Sequence, residues 1–201
     1  MKSRVAAAVA GLLAAACLCG GATLTFAQAS ASSSSLESTS ITTFINAYAK
    51  KSGRKFIVDP TVRAQLAQPE EGSKASRDDF LNVLMIYGLV AVERGDTVLV
   101  TPDATVRTMA IPLATGLEKH ADAEVVTRII HVKTLPAATL VPLMRPLVPQ
   151  FGHLAAVGCT NDLILVDRYA NTKRIEQLVE AVDKGEPYKP EKCAAPIAPG
   201  G

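Results

Sequence analysis

Residues 125–183 read VVTRIIHVKTLPAATLVPLMRPLVPQFGHLAAVGCTNDLILVDRYANTKRIEQLVEAVD, and their periodicity decides the fold. Val125, Val126, Ile129 and Ile130 lie in a β-branched run that predicts a strand over 125–132. Leu140, Leu143, Met144 and Leu147 then recur at helical spacing, but Pro142 and Pro146 interrupt them, so the helix over 135–148 is expected to be short or kinked. Residues 153–157 and 163–166 read as a hairpin around Gly158-Cys159-Thr160-Asn161-Asp162. Ile175, Leu178, Val179 and Val182 make the clearest apolar stripe of the chain, on a helix over 168–183 with Asp167 as its expected cap and Gly185 as its expected stop. The order is strand, helix, two strands, helix.

Upstream, Ile41, Phe44, Ile45, Tyr48 and Ala49 predict an amphipathic helix over 39–52, with Ser38 or Ser40 as cap and Gly53 at its end. Lys55-Phe56-Ile57-Val58-Asp59-Pro60 reads as a short buried strand stopped by Pro60, with Asp59 as a turn residue. Ser76-Arg77-Asp78-Asp79 has the form of a capping box with Asp79 in place of the usual Glu. Phe80, Val83, Leu84 and Tyr87 carry that helix to Gly88. The segment 89–100 is a hairpin about Glu93-Arg94-Gly95-Asp96. The chain thus reads as α+β, in two small domains. The expected limits are 38–103 and 123–185, with an uneven connector at 104–122, a Ser-rich tether at 30–37 and a Pro-rich, disordered tail at 186–201.

The chain has 201 residues, 21 basic and 19 acidic side chains, no Trp, and 4% aromatic residues. Its core must therefore be largely aliphatic. A nearly neutral balance argues against a nucleic-acid binder, which needs many phosphate-neutralising cations. Lys2 and Arg4 precede an uncharged Ala/Leu/Val run, and small residues around Ala27-Gln28-Ala29 follow. This order predicts a signal peptide over 1–29, cleaved after Ala27 or Ala29, and a periplasmic destination. Cleavage removes two basic residues and brings basic and acidic side chains into balance. An alternative is lipoprotein processing at Cys17, after Ala14-Ala15-Ala16. Of the four cysteines only Cys159 and Cys193 survive cleavage; in an oxidising compartment they form one candidate disulfide, and two separate thiols are the other reading.

The segments FINAYAKKSGRKFIVDPTV, FLNVLMIYGLVAVERGDTVLVTPDA and the stretch quoted first resemble the periplasmic N-terminal domains of secretins, in particular the outer-membrane pore proteins of type II secretion. The resemblance covers 41–183, and the run 140–156 is its most specific part. It implies a signalling-type first domain, shared with TonB-dependent receptors, followed by a KH-like, ring-building second domain. In the family the first domain docks on the inner-membrane platform and the second packs against its own copies. Two departures stand out. The Ser-rich residues 30–40 occupy the place of the family's first strand and have poor strand character, as does the Arg63–Gln68 segment. Pore-forming strands are not expected in the residues that follow the second domain.

The resemblance implies a non-enzymatic, exported interaction protein that assists or modulates type II secretion, with a secretin, a platform component or a secreted substrate as partner. Self-association, with a helix face of one copy on the sheet of the next, is a further expectation. The contact candidates are Leu163 and Leu165 on the strand and Lys173, Arg174, Gln177 and Glu180 on the outward face of the last helix. A periplasmic ligand- or cell-wall-associated binding protein that reuses the same modules is the alternative. No cofactor or metal is implied: His120, His131 and His153 read as surface and strand-end residues, no third metal ligand accompanies them, and no nucleophile, phosphate-loop or zinc-protease motif occurs. Asp78 and Asp79 read as cap and helix-dipole partners.

Overall fold

The computed structural model describes residues 39–67 and 71–189. All of them fall in one compact unit. The expected signal peptide, Ser-rich tether and Pro-rich end lie outside the described residues.

Helix α1 (Ile41–Ser52) starts at Ser40, whose hydroxyl accepts the Thr43 N–H at 3.2 Å. It ends at Gly53, which takes the left-handed conformation (φ 66°). Strand β1 (Lys55–Val58) follows, then α2 (Arg77–Ile86). The capping box is present: the Asp79 N–H donates to the Ser76 hydroxyl at 3.1 Å, and the Ser76 N–H donates back to the Asp79 carboxylate at 3.0 Å. Strands β2 (Leu89–Arg94) and β3 (Thr97–Pro102) form the hairpin, and the sheet runs β1-β3-β2 with β1 parallel to β3. Ile41, Phe44, Ile45, Phe80 and Leu84 fill the space between the helices and this sheet. Tyr48 stacks on Phe80 with ring centroids 4.0 Å apart. Gly72 lies against α1 so closely that a Cβ there would sit 2.2 Å from the Phe44 carbonyl oxygen. The segment of poor strand character still pairs once: Ser40 bridges Gln65, flanked by Ile41 N–H to Ala64 O and Leu66 N–H to Thr39 O, both 2.9 Å.

The second half contains β4 (Val125–His131), α3 (Ala137–Met144), β5 (His153–Val157), β6 (Asp162–Arg168) and α4 (Tyr169–Val182). This is the expected βαββα order. The sheet is antiparallel throughout, in the order β4-β6-β5. α3 contains Pro142 and gives way to a 3-10 turn, Arg145–Leu147. Leu140, Leu154, Leu163, Leu165, Ile175 and Val179 form the core under the two helices.

Three details of α4 differ from expectation. Asp167 does not cap it: the carboxylate is buried and accepts from the Arg168 N–H and the Asn171 amide, while Arg168 occupies the cap position without a side-chain bond. The helix ends at Val182, before Gly185, because the Asp183 carboxylate turns away to accept the N–H groups of Lys133 (2.6 Å), Thr134 (2.7 Å) and Leu135 (3.0 Å). Val182 is 48% exposed, so it does not belong to the buried stripe.

The segment between the sheets is ordered. It opens with a 3-10 turn, Asp103–Thr108, that buries Val106, and then lies along β4, with the Thr127 N–H on Pro112 O and the Ala114 N–H on Thr127 O, both 2.8 Å. Val90 and Val92 of β2, Val106, Val125 and Val166 form one apolar cluster that joins the two halves, with Met109, Ile111 and Phe151 packed on it.

Candidate protein-contact surfaces

The outward face of α4 holds the four expected helix contacts. Lys173 is held along the surface: its ammonium lies 2.8 Å from the Asp122 carboxylate and 4.7 Å from the centre of the Tyr169 ring. Arg174 is exposed and donates to the Leu147 carbonyl at 3.2 Å. Gln177 and Glu180 are exposed, whereas Glu176, just before Gln177, is tied to Arg128 of β4 at 2.5 Å. The structure removes Leu163 and Leu165 from the contact set. Both are fully buried, facing α3 and α4, and β6 is the central strand, so it has no free edge.

What the second sheet offers instead is the face turned away from its helices. Side chains alternate along a strand, so the partners of the core positions line this other face. In register across the three strands lie Thr127, Val166 and His153, then Ile129, Ile164 and Ala155, then His131, Asp162 and Val157. The first half of β4 is covered there by the joining cluster. Toward its end the face is open, and Ile129 is 52% exposed. In the first sheet β1 is not the buried strand expected: it pairs only with β3, stands at the edge and presents exposed Lys55 and Ile57.

A groove of about 600 Å³ runs between α2, the 3-10 turn after α3 and the start of α4. Met85, Pro146, Leu147, Pro149 and Phe151 make it largely apolar, and Arg174 stands at its wall. Gly152 sits under this loop: a Cβ there would lie 2.7 Å from Val148 Cγ1 and 2.8 Å from the Val166 carbonyl oxygen. The sequence held the Arg145-Pro146-Leu147-Val148-Pro149 run as a signature, but nothing local marks it as the wall of a groove with α2, which lies some sixty residues earlier.

His131 and His153 are exposed at strand ends as expected, with His131 Nδ1 2.9 Å from the Asp162 carboxylate. His120 is not a surface residue. Its side chain is only 8% exposed, Nδ1 lies 3.2 Å from the Glu124 carboxylate, and the ring rests against Tyr169. Glu124 also accepts from Arg77 of α2 at 3.0 Å, and Arg77 reaches Glu93 at 3.2 Å, so charges bind the two halves at this point. Burial pushes the Asp167 carboxyl up in pKa, against the pull of its Asn171 and Arg168 hydrogen bonds. For Asp183, burial also pushes up, but the Thr134 hydroxyl and three backbone N–H groups outweigh it and hold the pKa at about 2. Asp59 forms the expected turn, accepting the Thr61 N–H at 2.8 Å. Among the described residues no cluster of three or more His, Cys, Asp or Glu is arranged to hold a metal, and no helix is long and apolar enough to cross a membrane. Cys159 lies in the β5–β6 turn; Cys193 lies outside the described residues.

Residues 34–100 match the model of the GspD-like N0 domain. Secretin XcpQ of Pseudomonas aeruginosa is 36% identical over 152 residues, which cover 74% of this chain and 22% of XcpQ. Secretin GspD of Vibrio cholerae is 30% identical over 164 residues, covering 79% of this chain and 24% of GspD. Over about three quarters of its length the chain is similar to secretins, and residues 34–100 are similar to their N0 domain. The solved Klebsiella pneumoniae type II secretion outer-membrane complex, which contains PulD, PulS and the PulC HR domain, matches 75% of this chain and 26% of the solved chain at 28% identity, with a TM-score of 0.63. Both secretin modules therefore share a fold with that complex. The chain spans roughly a fifth to a quarter of the length of these secretins.

Proposed function

We propose that this chain is an exported, non-enzymatic contact module of a type II secretion apparatus, acting as an accessory or modulator through protein surfaces. The observation that carries the reading is the match across both modules to secretin N-terminal domains, in sequence and in fold. The Klebsiella complex contains PulD together with PulS and the PulC HR domain. By analogy, the partner of this chain is a secretin, a platform component or a secreted substrate. Gln177 and Glu180 on α4, whose side chains make no hydrogen bond or ion pair among the described residues, and the open face of the second sheet are the surfaces proposed for it. The KH-like βαββα module supplies that helix and that sheet together. The signal peptide delivers the chain to the periplasm, where Cys159 and Cys193 pair.

The test is co-purification of the full exported chain from envelope extract, beside a variant carrying Gln177→Glu and Glu180→Arg. Recovery of secretion components with the wild-type chain and their loss with the folded variant is the expected result. If the wild-type chain recovers none, the reading fails. Unchanged recovery with the variant moves the contact away from α4.

A further inference from the structure

The groove between α2, the 3-10 turn after α3 and the start of α4 is lined by two arginines whose charge its other side chains do not answer. The Arg168 side chain is only 12% exposed, yet among the described residues it makes a single hydrogen bond, from Nη1 to the Ala123 carbonyl at 3.0 Å. Its carboxylate neighbour, Asp103, stays at 3.6 Å, beyond hydrogen-bond distance. The guanidinium carbon lies 5.3 Å from the centre of the Phe151 ring. Burial pushes the Arg168 pKa down, and the attraction of Asp103 and Asp167 does not make up the loss. Arg174 is exposed and makes one hydrogen bond, to the Leu147 carbonyl at 3.2 Å. A guanidinium carries five donors, so most of the donors of both arginines remain open.

The acidic groups of the groove are already engaged. Asp122 holds the Lys173 ammonium at 2.8 Å. Asp167 is buried and accepts from the Asn171 amide and the Arg168 N–H. Both arginines pull on the Asp167 carboxyl, which gathers the two cations around one part of the wall. Beside them the lining is hydrocarbon, from Met85, Pro146, Leu147, Val148, Pro149 and Phe151. The volume of about 600 Å³ is that of a small-molecule site.

The backbone of the walls is largely spent. Leu147 O accepts from Asn171 and Arg174, Ala123 O from Arg168, Asp122 O from the Ala170 N–H and Pro149 O from the Gly152 N–H. The Val148 N–H donates to Arg145 O, and Pro146 and Pro149 have no N–H. The walls therefore offer the amides of a bound peptide little to pair with, and unpaired amides are costly to bury. A hydrocarbon chain has no such need. We propose that the groove binds a single-chain aliphatic carboxylate, a fatty acid: its chain lies against Met85, Leu147 and Phe151, and its carboxylate accepts from Arg174 and Arg168. The planar guanidinium fork matches a carboxylate in shape as well as in charge. The site goes beyond the reading above because it requires no secretion component.

Sodium decanoate, kept below its micelle concentration, is the probe. It is titrated into the purified full exported chain by calorimetry, with the methyl NMR signals of Met85 and Leu147 as the reporters of place. One saturable site is expected, with both signals shifting and with weaker binding at high salt because the exposed Arg174 is screened. Decylammonium, which has the same chain and the opposite charge, is expected to bind at least about tenfold more weakly. Arg174→Ala is expected to weaken decanoate binding by about tenfold, the scale of one charge-assisted hydrogen bond. Met85→Glu is expected to weaken it by about tenfold or more, since it sets a like charge against the ligand in place of apolar surface. Both positions are exposed, and melting curves verify that the variants remain folded. Wild-type chain that shows no saturable binding, decylammonium that binds as tightly as decanoate, or unchanged affinity in either folded variant overturns the proposal. So does capture by anionic phospholipid vesicles, or binding of an apolar acidic peptide, in a chain that ignores decanoate. None of these titrations contains a secretion component, so the two readings fail separately.

Discussion

Asn161 offers the sharpest test of how the second module is held together. It is 2% exposed and occupies the left-handed region at φ 56°, the sole non-glycine among the described residues to do so. Its side-chain oxygen accepts the Ala137 N–H at 2.8 Å, and its amide donates to Val132 O at 2.6 Å and Leu135 O at 2.9 Å. One side chain thus pins the β5–β6 turn to the start of α3. Asn161→Ala removes all three bonds. A buried backbone group left without a partner costs about 1–3 kcal/mol, so allowing for partial relaxation the sum is about 3–5 kcal/mol. A non-glycine side chain with no local hydrogen bond in the left-handed region adds about 1 kcal/mol. Asn161→Gly loses the same bonds but not the backbone preference, so it is expected to be about 1 kcal/mol more stable than Asn161→Ala. Asn161→Asp keeps the acceptor but turns a carboxylate toward two carbonyls, and is expected to gain stability relative to wild type as pH falls. Urea unfolding at neutral and acid pH measures all three. An Asn161→Ala variant within 1 kcal/mol of wild type, or a glycine variant no better than alanine, would refute the reasoning.

Gly72→Ala is expected to cost at least about 2 kcal/mol, because its Cβ would fall 2.2 Å from the Phe44 carbonyl oxygen and α1 cannot recede without opening the first core; a thermal melt reads it. The Asp183 pKa is lowered from 3.8 to about 2, so its contribution is fully present above about pH 4 and is lost as pH falls through about 2. Solvent screening at this partly exposed site leaves about 1 kcal/mol, and Asp183→Asn should flatten that acid limb of the stability curve. Arg77→Ala is expected to cost about 1 kcal/mol through Glu124, less at high salt, since its own exposure allows screening; denaturant titrations at two ionic strengths check this. Non-reducing peptide mapping of periplasmic protein should recover Cys159 linked to Cys193, and two alkylatable thiols would dismiss that pairing.

Elements with local signatures were legible in the sequence. The Ser76–Asp79 box, the Gly53 stop and the alternating strands all act over a few residues, and each element appears where its pattern places it. What failed depended on partners distant in sequence. Leu163 and Leu165 looked available for contact because a strand's position in its sheet is not written in that strand: β4 pairs with β6 rather than with β5, and this puts β6 in the centre. Asp167 looked like a cap because acidic residues before helices usually are; here it is drawn into the protein by Asn171 and the Arg168 N–H. His120 looked like a connector residue on the surface, and only the approach of Glu124 and Tyr169 buries it. The groove was illegible for the same reason, as its walls come from both modules.

The joining cluster explains why the surfaces proposed for contact are where they are. Val90 and Val92 would be a solvent-facing apolar stripe on β2, and Val125 and Val166 another on the second sheet, had the two modules been held apart. Packing them together removes both stripes from water, and the Arg77–Glu124 and Arg168–Asp103 pairs fix the approach at its two sides. The same packing leaves the far half of the second sheet uncovered, because the first module extends over only one end of it. It also brings Met85 of α2 opposite the Pro146–Pro149 loop, which creates the groove. The open sheet face and the groove are therefore consequences of one docking geometry. A substitution that loosens it, such as Val92→Ala, should lower stability by about 1–3 kcal/mol, read as a lower urea midpoint. A Val92→Ala chain as stable as wild type in urea would show that the joining cluster does not hold the two modules together.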